Sequence, residues 1–161
     1  MKQIFLLCLT LFILNSVFAQ AKYRRYHSSK QNQQKTNLQI DVNKVAIFNL
    51  NSAPWLRERF DNPKPYILNN TDIGIINKIF KGCVLKNYID TNYFHYKKQY
   101  VPFIDKEGNR KVWINCFCED SHIDYWKKNI VFVDDGGRCF FNLIINITDE
   151  TFSNLIINGY G

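Results

Sequence analysis

The segment from residue 96 to residue 118 reads YKKQYVPFIDKEGNRKVWINCFC and predicts a β-hairpin. Tyr96–Ile104 and Arg110–Cys118 are rich in the aromatic and β-branched residues that favour strands. Between them, Asp105–Asn109 contains the glycine and the polar residues of a hairpin turn. Pro102 indicates an edge position or a bulge in the first strand, because proline cannot donate a hydrogen bond to a neighbouring strand. We therefore predict a sheet built around this hairpin.

A helix is predicted on the N-terminal side of the hairpin. Asn70-Thr71-Asp72 offers side chains that can accept hydrogen bonds from the first N–H groups of a helix. Apolar residues then recur with helical spacing on one face: Ile73, Ile76, Ile79, Phe80, Cys83 and Val84. A helix with a single apolar stripe must bury it against another element, so we expect this helix to pack across the sheet.

Further elements are predicted on both sides of the first hairpin. Cys139–Ile147 and Thr151–Asn158 form a second hairpin about Thr148-Asp149-Glu150. Val45–Leu50 predicts either a first strand or a short buried segment, and Trp55–Phe60 predicts one helical turn.

The connection between the two hairpins is also expected to contain regular secondary structure. Ser121, with Asp124 three residues later, resembles the capping box of a short helix that continues to Lys128. Ile130–Val133 then predicts a strand, and Asp134-Asp135-Gly136-Gly137 predicts a turn.

Residues 45–161 are therefore expected to form a single α+β domain. Its outline is one main helix packed on a curved antiparallel sheet of four to five strands. Cystatin-like and NTF2-like folds have a similar outline, and a small β-sandwich is the alternative.

The N-terminus predicts export. Lys2 precedes an apolar stretch from Ile4 to Val17, and Val17-Phe18-Ala19 places small residues where a signal peptidase cleaves. Residues 1–19 are therefore interpreted as a signal peptide. The alternative is an uncleaved anchor, but the stretch is shorter than the roughly 20 residues that a spanning helix needs. We expect a secreted or periplasmic protein without a stable membrane anchor after cleavage.

The net charge of +7 is concentrated in a predicted flexible linker, residues 20–44. This linker contains six basic residues and one acidic residue, whereas the chain after residue 44 contains 14 basic and 13 acidic residues. A nucleic-acid-binding domain usually carries its excess charge on a folded face, so we expect no nucleic-acid partner. The linker could touch an anionic surface or simply be solvated, and short charge runs favour the second reading.

Four cysteines remain after cleavage and are candidates for disulfide bonds: Cys83, Cys116, Cys118 and Cys139. Periodicity places all four on faces that point into the core between helix and sheet. Three pairings are open, and because Cys116 and Cys118 share one strand face, each is expected to pair with a different partner. We expect two disulfides, as is common in exported domains of this size.

The sequence gives little support for a metal site or for a nucleophilic cysteine. A four-thiolate zinc site favours C-x-x-C knuckles, whereas this chain has C-x-C inside a predicted strand. A nucleophilic cysteine activated by His95 or His122 would need a partly exposed, electropositive setting, which a core-facing cysteine lacks. We therefore predict no catalytic residue, no metal site and no cofactor.

One face of the second strand of the hairpin is a candidate binding surface. Trp113, Asn115 and Phe117 share the face opposite the cysteines. An open face of this kind would suit a peptide or a glycan. The alternative is that the segment around Trp55, or a partner subunit, covers it.

Five motifs resemble those of a group of uncharacterised exported bacterial proteins. They are Tyr96–Val101, Val112–Cys118, Tyr125–Lys128, Asp134–Asn142 and Ile157–Gly159. This resemblance covers the last third to half of the chain and implies no particular activity.

Gln99-Tyr100-Val101-Pro102-Phe103 follows a predicted helix and has a weaker resemblance to the Q-x-V-x-G hairpin of cystatin-type protease inhibitors. Phe103 stands where that family has a glycine, which lets backbone enter a protease cleft closely. The resemblance implies inhibition through this segment.

The function predicted from these features is that of a non-enzymatic, disulfide-stabilised binding or interaction domain at the cell envelope. Its ligand would be a protein, a peptide or a glycan. The alternatives are a thiol- or metal-dependent enzyme that uses Cys116 and Cys118, and a cystatin-like protease inhibitor.

Overall fold

The structure, a computed structural model, describes residues 39–87, 89 and 95–159. It is an α+β domain in which one main helix packs on a sheet, as predicted. The helices are α1 (Trp55–Arg59) and α2 (Asn70–Lys86). The strands are β1 (Val45–Ile47), β2 (Lys64–Pro65), β3 (Tyr96–Ile104), β4 (Arg110–Cys118), β5 (Phe140–Asn146) and β6 (Thr151–Ile157). The predicted signal peptide and residues 20–38 of the predicted linker lie outside the described residues.

The sheet is mixed, whereas a purely antiparallel sheet was expected. Strands β3 to β6 form an antiparallel series in the order β3-β4-β5-β6. Strand β1 lies parallel to the first half of β3, and the two-residue β2 pairs antiparallel with the end of β3. Parallel strands need a long crossover connection, and here α2 lies within the chain that joins β1 to β3.

Helix α2 begins where the sequence indicated. Asn69 caps it, and the Asn69 and Asp72 side chains each accept a hydrogen bond from the backbone N–H of the other residue. The predicted apolar stripe is buried along its whole length. Phe80 stacks on Phe141 of β5, with 6.1 Å between the ring centroids, which fixes the helix on the sheet.

A buried ionic cluster ties the start of α2 to the start of β4. Asp72 is completely buried, and its carboxylate accepts hydrogen bonds from Arg110 Nη1 at 2.7 Å and Tyr66 Oη at 2.8 Å. A carboxylate buried at this depth needs such partners, because an uncompensated charge in the interior is costly.

The other face of the sheet is covered by chain with little regular structure. Phe48, Leu50 and Leu56 pack with Val101 and Trp113 of the sheet. Nearby, Trp126 and Val131 pack against Phe117. The sheet therefore lies between two layers, with α2 on one side and these irregular segments on the other.

The short helix predicted from Ser121 to Lys128 is wrong, because the segment forms turns. His122 has a φ of 53°, which a right-handed helix does not allow, and Ser121 Oγ makes no capping bond.

The strand predicted at Ile130–Val133 is also wrong, because side chains of the sheet bind its backbone in place of a neighbouring strand. Gln99 Nε2 donates to the carbonyls of Trp126 and Asn129, at 2.6 and 2.8 Å. Gln99 Oε1 accepts from the Val131 N–H at 2.8 Å, and Asn115 Nδ2 donates to the Val131 carbonyl at 2.7 Å.

One edge of the sheet is formed by β6. Its pairing with β5 shifts register between Asn142 and Ile144, and Asn154 has a φ of 52°. The strand is therefore bent near its middle.

The domain begins before residue 45. The Gln39 N–H donates to Asn70 Oδ1 at 2.9 Å, and the Lys98 N–H donates to the Lys44 carbonyl at 2.7 Å. Residues 39–44, which the sequence assigned to the linker, thus pack against α2 and β3. Within residues 39–159, as far as the structure describes them, no helix has the length and hydropathy to cross a bilayer.

Candidate functional site

A cavity of about 510 Å³ lies between α2 and the edge of the sheet formed by β1 and β3. Residues 39–44 form its third wall. Its lining residues are Gln39, Ile40, Asp41, Lys44, Val45, Asn77, Lys78, Phe80, Lys81, Lys98 and Tyr100. The volume is in the range of sites for small molecules.

The cavity is strongly basic. Lys44, Lys78, Lys81 and Lys98 line it, and Asp41 is the acidic residue in the lining. A cleft lined by one sign of charge concentrates ligands of the opposite sign. This arrangement therefore favours an anion.

Two of these lysines form ion pairs near the protein surface. Lys78 Nζ lies 2.9 Å from Glu150 Oε2, and Lys44 Nζ lies 3.3 Å from Glu119 Oε2. Water screens exposed pairs of this kind, so they are weak and leave both cations able to interact with a ligand.

Lys98 is the most unusual of the four. Its side chain is half-buried, and Nζ donates to the Tyr96 carbonyl at 3.2 Å and lies 5.1 Å from the centroid of the Phe80 ring. In the part of the chain that the structure describes, no carboxylate lies in ion-pair range of this ammonium. An ammonium has three donors, so Lys98 can form further hydrogen bonds.

The surroundings of Lys98 shift its ionisation. Burial lowers the pKa of Lys98 from its usual value because it disfavours the charged form. The positive charge of Lys44 lowers it further, whereas Cys116 and Asp41 act in the opposite direction. The net effect is a lowered pKa.

The inner part of the cavity is apolar. Phe80 and Tyr100 are buried, and Val45 and Ile40 are half-buried. Burial raises the pKa of Tyr100, so its hydroxyl stays protonated and can donate a hydrogen bond. The site thus combines cations with a buried apolar surface, which suits an anion that carries an apolar body.

Sequence reasoning missed this cavity, although part of the signal was present. Lys98 lies between Tyr96 and Tyr100 on the β3 face that α2 covers, so alternation alone marks it as a lysine on a buried face. Lys78 and Lys81, at i and i+3 on α2, flank the apolar stripe. The packing of residues 39–44 against α2 and β3, which completes the cavity, has no recognisable signal in the sequence pattern.

The predicted binding surface on β4 is not open, so that prediction is corrected. Trp113 is 5% exposed and lies edge-on to Trp55, with 5.7 Å between ring centroids. Phe117 is completely buried against Trp126. Asn115 binds Gln99 and the Val131 carbonyl. The segment around Trp55 and the irregular segment after residue 120 cover this face.

The four cysteines form one disulfide, between Cys118 and Cys139, where two were expected. Both of these cysteines are half-buried, so they do not point fully into the core. Cys83 and Cys116 are buried free thiols. Burial raises the pKa of Cys83 to about 11 and raises that of Cys116 even further.

These positions leave no reactive thiolate at the predicted enzyme residues. Cys116 is inaccessible and protonated, and Cys118 is bonded. A carboxylate oxygen of Asp120 lies within 4.8 Å of the Cys118 and Cys139 sulfur atoms. A metal at this place would need both sulfurs as ligands, but they are bonded to each other. His95 and His122 are exposed, and His95 Nδ1 lies 4.0 Å from Glu119 Oε2.

The segment that resembles the cystatin hairpin lies inside a paired strand. Gln99–Phe103 is buried throughout and hydrogen-bonded to β4. It is not a loop that could enter a protease cleft.

Comparison of the chain with known protein families, curated protein sequences and solved structures finds no match. The resemblance to exported bacterial proteins therefore stays a prediction. The function has to be argued from the site itself.

Proposed function

We propose that this chain is an exported binding domain that holds a small anionic ligand in the cavity between α2 and the β1–β3 edge. The observation that carries this proposal is the setting of Lys98. Among the described residues no carboxylate lies in ion-pair range of its half-buried ammonium, and three further lysines line the same cavity. The ligand would supply the missing negative charge.

The desolvation of Lys98 favours the binding of an anion. Moving an ammonium away from water costs free energy unless a hydrogen-bonded anion compensates for it. A carboxylate or phosphate that enters the cavity would pair with Lys98 and gain the field of Lys44, Lys78 and Lys81. A charge-assisted hydrogen bond contributes about 1.5–3 kcal/mol, which is enough to determine the affinity of a small ligand.

The apolar part of the lining limits the choice of ligand further. Phe80, Tyr100 and Val45 offer a surface for an aliphatic or aromatic body next to the anionic group. Free carboxylic acids fit this description, and so does the anionic end of a peptide or a glycan. The peptide and glycan partners expected from the sequence are thus narrowed to those with an anionic group.

The export and envelope location are part of the same proposal. Support comes from the pattern of residues 1–19 and from the Cys118–Cys139 disulfide, since disulfides persist mainly in oxidising compartments. The ligand would then be met outside the cytoplasm.

The test is calorimetric titration of protein purified after periplasmic expression of the full chain. The probes are acetate, benzoate, pyruvate and inorganic phosphate. Lys98→Met should weaken binding about tenfold or more, because it removes one charge-assisted hydrogen bond. Lys97→Met is the matched control, since the neighbouring Lys97 lies on the other face of β3, over the Trp126 ring.

The expected pattern is anion binding that Lys98→Met weakens and Lys97→Met leaves unchanged. Higher salt should weaken binding, because the site is electrostatic. If none of the four anions bound, or if both variants bound them equally well, the cavity would not be the functional site.

A further inference from the structure

Lys98 meets the two structural conditions that make a lysine amine nucleophilic. It is half-buried, with its stem between β3 and α2, and a second cation, Lys44, lies at the neighbouring wall of the cavity. Both conditions favour the neutral amine, whose lone pair attacks carbonyl carbons. No ion pair to a carboxylate holds this ammonium in its charged form within the described residues.

The cavity also brings a carbonyl compound to this amine. Lys78 and Lys81 of α2 line the same cavity as Lys98 and add positive charge to it, so an anionic group would be drawn into the cavity. The volume of about 510 Å³ accommodates a small acid together with the lysine side chain. Tyr100, two residues along β3, also lines the cavity and adds to its apolar inner wall.

We propose that Lys98 captures small carbonyl compounds that carry an anionic group, such as 2-oxo acids, as a reversible imine. The Lys98 ammonium first loses a proton to solvent, and Nζ then attacks the carbonyl carbon. The carbonyl oxygen leaves as water, and a C=N bond replaces the C=O bond. The step needs no oxidant or reductant, and hydrolysis of the imine releases the ligand unchanged.

This inference rests on the proposed function, since it assigns a ligand class and a bond to the same cavity. Besides burial, the charged and titratable groups that act on Lys98 are Asp41 and Lys44 from the N-terminal segment and Cys116 from β4. Lys78 and Lys81 of α2 line the same cavity. The rate of capture should increase with pH until Lys98 is neutral.

The experiment is reductive trapping of the native protein with pyruvate and sodium borohydride, followed by intact mass measurement and peptide mapping. We expect one reduced pyruvate adduct per chain, located on Lys98. Acetate, which binds as an anion but has no reactive carbonyl, should slow the labelling. Labelling spread evenly over exposed lysines would overturn the proposal, and this result does not depend on any variant.

Lys98→Arg is the decisive variant, because arginine keeps the positive charge but is not a nucleophile at neutral pH. It should retain anion binding in calorimetry and lower pyruvate trapping at least about tenfold. Lys97→Arg should label as the native protein does. Pyruvate binding without a trapped adduct would overturn the imine but leave the anion site intact, whereas absence of binding by pyruvate and acetate would overturn both.

Discussion

Gln99 joins the irregular segment 126–131 to the sheet, and its replacement by leucine should destabilise the domain. Leucine has a similar volume, so the change removes hydrogen bonds without opening a large cavity. Gln99 is completely buried and makes four hydrogen bonds. After the change, the Val131 N–H and the Trp126 carbonyl lose their partner inside the protein.

The magnitude follows from these two groups. A buried polar group that loses its partner costs about 1–3 kcal/mol, which gives about 2–6 kcal/mol for the pair. The Asn129 carbonyl belongs to an exposed residue and can turn to water, and burial of the leucine offsets part of the cost. We expect Gln99→Leu to lower the free energy of unfolding by about 3 kcal/mol, a large share of the 5–15 kcal/mol typical of a domain.

Urea denaturation measures this difference, and hydrogen exchange locates it. The Val131 amide should exchange faster in Gln99→Leu, whereas amides in the middle of β4 should keep their relative protection. Lys97→Leu is the matched control, because Lys97 lies on the same face of β3 and touches Trp126 but has no such hydrogen bonds. A loss below about 1 kcal/mol, or an unchanged Val131 exchange rate, would refute the view that side chains replace strand pairing here.

Three further predictions concern Asp105, the disulfide bond and the two free thiols. Burial alone would raise the pKa of Asp105, but hydrogen bonds from Lys111 and the β3–β4 turn outweigh burial and lower it to about 2, from a usual 3.8. Because the folded pKa is the lower one, this stabilisation is complete above about pH 4 and is lost as the pH falls through about 2. Asp105→Asn should therefore cost up to about 2 kcal/mol at neutral pH and flatten the stability curve between pH 4 and 2; an unchanged curve would contradict this. The Cys118–Cys139 bond closes a loop with a sequence separation of 21, so the Cys118→Ser, Cys139→Ser double variant should lose about 3 kcal/mol in urea denaturation. A thiol assay on protein that lacks residues 1–19 should detect the two other cysteines only after denaturation; two reactive thiols in the native state would contradict their burial.

The hairpin of β3 and β4 could be predicted to the residue, because its signals are local. Both strand bounds and the turn at Gly108 agree with the structure, and Gly108 has the φ of 87° that such a turn requires. Helix α2 was predicted for the same reason, because its cap and its apolar stripe are both formed by residues that are close together in the sequence.

Features that depend on distant contacts could not be predicted. Ile130–Val133 has the composition of a strand, but the Gln99 and Asn115 side chains form hydrogen bonds with the Val131 backbone in place of a neighbouring strand. Alternation places Trp113 on the β4 face opposite the cysteines, and the sequence does not show whether that face is open. Only the position of Trp55 in the structure shows that Trp113 is covered. The lysine cavity combines residues from three separate parts of the chain, so no single window of sequence contains it.

The bend in β6 has a consequence for the behaviour of the protein at high concentration. An exposed edge strand offers unpaired N–H and C=O groups that can continue a sheet into another molecule. The left-handed Asn154 and the register shift opposite it interrupt that row of groups halfway along the strand. A second copy could therefore align with only a few residues of this edge. The exposed isoleucines near its end, Ile156 and Ile157, are thus kept from seeding a continuous intermolecular sheet.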